Sequence, residues 1–134
     1  MATAAVYDPV PMALVESIAA SLGFTVQSRA HGDGSSSFDA LVCKFPSGPV
    51  RIVFFQYTVD FETIFPGLRL STGQANEWNT PWIGGSPTTV WIDDQGRSRM
   101  ELTIWPEGGV TREFLRQHFL LLEVCMRAFV ERFG

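Results

Sequence analysis

The chain offers few side chains that could do chemistry. It has two histidines, His31 and His118, and two cysteines, Cys43 and Cys125. A nucleophilic triad needs Ser or Cys, a His base and a carboxylate brought together. No Gly-x-Ser-x-Gly elbow is present, His31 lies in a polar loop and His118 inside an apolar helical stretch. A zinc site needs three or four closely spaced ligands, and Cys43 and Cys125 lie far apart with no histidine nearby in sequence. Both cysteines read as reduced core thiols. The Asp93-Asp94 pair has the chemistry for calcium or acid–base work, but in Asp-Asp-Gln-Gly it reads as a turn former. Gly84-Gly85-Ser86 has no lysine after it and no helix start to receive a phosphate. These residues predict no catalytic residue, no metal and no cofactor. A small-ligand cleft beside His118 and Glu101 or Glu123 is the one chemical alternative.

The four tryptophans, Trp78, Trp82, Trp91 and Trp105, allow two readings. Buried packing is the default, and a partly exposed aromatic patch for binding a peptide is the alternative. Composition narrows the partners. The 134 residues fit one domain, residues 1–134, with 46% apolar residues and 11 Phe to build its core. Net charge is −4, and nine of the ten basic residues are scattered arginines, Lys44 being the tenth. Nucleic acid and anionic membranes both call for clustered cations, so neither is expected. No apolar run is long enough to span a bilayer and no signal peptide is apparent, which predicts a cytoplasmic protein.

The elements that must position these side chains follow from periodicity. Residues 1–9 are weakly patterned and are expected to be loose. Leu14, Val15, Ile18, Ala19 and Leu22 mark one face of a helix over residues 11–22, ended by Gly23. Strands are expected at residues 24–27, 38–45 and 50–57, the last apolar throughout and so central in a sheet. Residues 61–65 alternate and read as a strand or a strand extension. Ser71 and Gln74 form a capping box opening a helix over residues 72–79. Strands at 88–92 and 98–105 flank the Asp-Asp-Gln-Gly turn as a hairpin. In the second of them Met100, Leu102 and Ile104 face inward, while Arg99, Glu101 and Thr103 face out. Thr111 caps a long final helix whose apolar face carries Phe119, Leu122 and Met126. The fold class is α+β, a single layered domain in the order α-β-β-β-α-β-β-α, with a mostly antiparallel sheet packed by helices.

Asn76-Glu77-Trp78-Asn79, the tryptophan-bearing strand ending at Ile92-Asp93-Asp94-Gln95-Gly96, and Gly108-Gly109-Val110-Thr111 together resemble the YbjN family. Its members are described as bacterial sensory transduction regulators, with a fold similar to type III secretion chaperones. The resemblance covers nearly the whole chain. It implies a non-enzymatic protein-binding module with a protein client, and chaperones of this fold usually form homodimers. Many relatives carry basic residues where this chain has the uncharged Thr80–Pro87 stretch, so an apolar Trp82-Ile83 tip would meet a hydrophobic partner. The residues expected to bind a partner are Trp78, Trp82, Ile83, Phe119, Leu122 and Met126. The alternatives are a structural homodimer with no client and a small-ligand binder.

Overall fold

The computed structural model describes residues 4–32, 38–80 and 87–134. Its elements, in chain order, are β1 (Val6–Tyr7), α1 (Met12–Ser21), β2 (Thr25–Ala30), β3 (Asp39–Phe45), β4 (Gly48–Phe54), β5 (Val59–Phe65), α2 (Thr72–Asn79), β6 (Thr89–Ile92), β7 (Ser98–Ile104), β8 (Val110–Thr111) and α3 (Arg112–Phe133). Six strands form one sheet in the order β2-β3-β4-β5-β7-β6, antiparallel throughout. The α+β class and the antiparallel sheet packed by helices agree with the sequence reading. Residues 59–65 are a full strand between β4 and β7, so four sheet strands, not three, precede α2.

Strand alternation decides what the helices cover. In β5, Val59, Phe61, Thr63 and Phe65 are buried, while Asp60, Glu62 and Ile64 are half-buried on the opposite face. The register sets Phe61 beside Leu102 and Ile52, so one face of the sheet is continuously apolar. Helices α1 and α3 pack on that face. Phe119 of α3 touches the rings of Phe24, Phe45 and Phe61, and Phe129 touches those of Phe65, Trp78 and Phe133.

The joints have the chemistry that their residues dictate. Helix α1 ends in a Schellman turn: Phe24 N donates to Ala19 O, Gly23 N donates to Ala20 O, and Gly23 takes φ +77°. Ser71 and Gln74 bond reciprocally as a capping box. Asp93 Oδ1 accepts from the backbone N–H groups of Gln95 and Arg97, and Oδ2 accepts from the side chains of Arg97 and Arg99. The pair Arg99 and Arg97 holds the Asp93 carboxyl well below the ordinary carboxylate range. Asp93 is thus a turn former. Glu123, buried on α3, accepts from Ser47 N, Ser47 Oγ and Arg127, which ties the β3–β4 turn to the helix.

Further features depart from the sequence reading, and the third expected strand ends at Phe54 and not at Tyr57. The N-terminal segment pairs in part: Val6–Tyr7 lie antiparallel to Val110–Thr111. Gly109 is required there, because it has φ +93° and an added Cβ would come within 3.0 Å of the Val6 side chain. Strand β2 runs on to Ala30, through Arg29, which the sequence places in a loop.

Three side chains of the Asn-Glu-Trp-Asn element bond within the fold, and Asn76 contributes its backbone carbonyl. Trp78 is buried and donates from Nε1 to Thr88 Oγ1. Glu77 pairs with Arg132 of α3, and Asn76 O accepts from Thr80. The Asn79 amide donates to Val90 O at 2.6 Å and accepts from Val90 N at 2.8 Å. It satisfies backbone groups of the sheet's outermost strand much as another strand would. Replacing Asn79 by Ala removes both partners, and we expect a loss of about 1–3 kcal/mol in urea unfolding with an unchanged m-value.

Candidate functional site

The structure encloses four of the residues expected to bind a partner. Trp78, Phe119, Leu122 and Met126 all lie in the core, none more than 7% exposed. Trp82 and Ile83 lie outside the described residues. The small-ligand cleft also fails to assemble. Glu101 faces away from the helices, Glu123 is engaged by Ser47, and His118 stays on α3, its Nδ1 2.8 Å from the Phe114 carbonyl. Cys43 and Cys125 are buried free thiols. Burial, ahead of the neighbouring Glu16 charge, pushes the Cys43 thiol up to about 11, and burial also raises Cys125.

Two surfaces carry chemistry instead. The first is the helix-free face of the sheet. The β5–β7 register sets Glu62 opposite Glu101, and Asp60 is the next outward residue of β5. One oxygen from each of Asp60, Glu62 and Glu101 lies within 4.8 Å of the others. Arg51 stands 3.8 Å from Glu62, and Thr103 Oγ1 donates to Glu101. Like charges at this spacing cannot all stay ionised. Burial, then the hydrogen bond and charge of Glu101, push Asp60 up to about 7. Burial raises Glu62 as well, against the opposing charge of Arg51. An all-oxygen trio is the donor type a hard divalent cation would take. The geometry itself shows three crowded carboxyls, with Asp60 Oδ1 buried and without a hydrogen-bond partner among the described residues.

The second surface lies at the end of the sheet where β4 turns into β5. Phe55 N bonds Thr58 O across this turn and lifts Tyr57 to its tip. The β1–β8 pairing brings Asp8 and Pro9 alongside Pro106 and Glu107. Tyr57 is 69% exposed and Trp105 67%. They line a hollow of about 570 Å³ together with Asp8, Pro9, Gln56 and Glu107. A neighbouring hollow of about 370 Å³ shares Pro9 and Gln56 and continues along Pro11, Met12, Phe54 and Val59. Phe38 and Phe55, in edge-to-face contact, extend the exposed aromatic surface beyond it. The result is an aromatic, proline-walled cleft with carboxylates on its rim.

The sequence held a signal for each surface. Inward Met100, Leu102 and Ile104 already put Glu101 and Trp105 on the outward register. The alternation in residues 61–65 does the same for Asp60 and Glu62. What brings these residues together is the β5–β7 pairing, which joins strands separated in sequence by α2 and β6.

Comparison of the chain with protein-family models, with curated proteins and with solved structures finds no match. No helix among the described residues is long and apolar enough to cross a membrane.

The raised Asp60 has a definite pH signature. Its folded value near 7 stands above the ordinary carboxylate value, so the folded state binds the extra proton between about pH 4 and pH 7. Stability therefore rises as pH falls from 8 towards 5. Asp60→Asn keeps a donor for Glu101 without the charge. It is expected to flatten this slope and to gain about 1 kcal/mol at pH 8, the share left after solvent screening of a partly exposed group. Urea melts of both proteins at pH 5, 6.5 and 8 check it.

Proposed function

We propose that this chain is a non-enzymatic protein-interaction module that holds an extended segment of a client protein in the cleft of Tyr57 and Trp105. The observation that carries the reading is the exposure of these two aromatics, each about two-thirds open, on the walls of one continuous hollow. An indole left in water beside prolines is a costly surface for a protein with a well-filled core, and aromatic anchors dominate binding energy where they are covered. Asp8 and Glu107 on the rim favour a client segment that carries Lys or Arg beside its apolar residues. A role in bacterial sensory transduction, or a chaperone-like one, is the form that the YbjN resemblance suggests for such adhesion.

Peptide display on the purified protein tests this directly. Enriched peptides should be apolar with at least one basic residue and should quench Trp105 fluorescence. Trp105→Ala should weaken them about 10- to 100-fold, in line with a hot-spot aromatic. Failure to enrich any sequence, or binding indifferent to both Trp105→Ala and Tyr57→Ala, removes the reading.

A further inference from the structure

The helix-free face of the sheet carries cations as well as carboxylates, and the cations converge. Arg51 on β4, Arg99 on β7 and Arg97 just before β7 line one hollow of about 540 Å³. The register sets Ile64 of β5 opposite Arg99, and Val42 of β3 opposite Arg51. Those two side chains, with Pro49 and Pro66, give the hollow its apolar lining. It lies towards the far end of β5 from Tyr57 and shares no residue with the Tyr57–Trp105 cleft.

The fold uses these guanidiniums only in part. Arg97 and Arg99 both donate from Nε to Asp93 Oδ2, at 2.9 and 2.8 Å, which holds the two side by side. Neither donates from an Nη atom to any of the described residues. Arg51 Nη1 stands 3.8 Å from Glu62, too far for a hydrogen bond, and its side chain is 60% exposed. Burial raises Glu62 despite the opposing charges of Arg51 and Arg99, so this carboxyl is a weak counter-ion. Against Glu62 in the lining and Asp93 behind it, three guanidiniums leave one positive charge in excess. We infer that the hollow binds a small monocarboxylate with an apolar body, its carboxylate on the arginine Nη groups and its body on Ile64, Val42 and the two prolines. One negative charge matches the excess, and the planar forks of arginine fit a carboxylate with paired hydrogen bonds. The volume falls within the range of small-ligand sites, about 300–1,000 Å³.

Titration of phenylbutyrate into the isotope-labelled protein, followed by NMR, reads the site. The expected result is saturable shifts centred on residues 62–66 and 97–99, with a Kd of about 1 mM, ordinary for a ligand this small. Phenylbutyramide has the same body without the charge, and inorganic phosphate has charge without the body. Each should bind at least about fivefold more weakly than phenylbutyrate. Arg51→Gln, which breaks no hydrogen bond of the fold, should weaken phenylbutyrate about fivefold. Ile64→Glu, which gives the hollow a carboxylate of its own, should abolish binding. The comparison of phenylbutyrate with its amide uses the wild-type protein and holds whether or not either variant folds. No saturable shift by about 20 mM overturns the inference. So does equal binding of the amide or of phosphate, a response at Tyr57 and Trp105 in place of the hollow, or binding indifferent to both variants.

Discussion

The ring of Phe119 is the contact on which the rest of the structure depends. It meets Phe24 just past the end of α1, stacks on Phe45 from β3 and meets Phe61 from β5 edge-on. Three segments distant in sequence are thus fixed to one side chain of α3. Burying a phenylalanine contributes about 1.5–3 kcal/mol, and aromatic pairs add about 0.5–1.5 kcal/mol beyond area. That is a large part of the 5–15 kcal/mol by which domains are stable. Phe129 repeats the arrangement one level along, with Phe65, Trp78 and Phe133. Between the two levels, Glu123 is the one charged residue of this face, and Ser47 and Arg127 supply the partners its burial requires.

A helix committed in this way has one face to give to the fold and the other to anything else. Phe119, Leu122 and Met126 are the residues of α3 most attractive as a binding stripe when read from sequence, because they are its largest regular apolar set. The six-stranded sheet needs them more. Its apolar face is lined by Ile52, Phe61, Met100 and Leu102, all buried, and α1 is too short to cover it alone. The large apolar residues that α3 leaves exposed are therefore Phe114, Leu121 and Val124, with Val130 near its end. In sequence they look like the widening of one stripe, and in space they are a separate one.

Local features were the legible ones. The capping box at Ser71, the Schellman glycine Gly23, the Asp93 turn and the Thr111 cap each act within a few residues, and each has the geometry its residues predict. The alternation in β7 was legible for the same reason. What escaped depends on pairing across distance. Val6–Tyr7 have no local pattern to mark them as a strand, and only the Gly108-Gly109 turn, which turns Val110–Thr111 towards them, gives them a partner. The Asp60–Glu62–Glu101 cluster likewise exists only because β5 and β7 are neighbours. Either strand alone shows only an ordinary solvated face.

The Asn76–Asn79 element shows how residues can serve the fold and still be silent on function. Its indole packs on α3 and bonds Thr88, its carboxylate pairs with Arg132, and its last amide covers the backbone of β6. A sheet whose edge is closed by a side-chain amide would hold these residues whether or not anything bound to it. Residues that the fold can spare carry the opposite information. Nothing in the core needs Tyr57 or Trp105 to be aromatic, since both stand mostly in water. In the proposed reading a client segment, not the fold, covers these two rings. On that proposal the client's chemistry is to be read from the turn at Tyr57 and the strand end at Trp105.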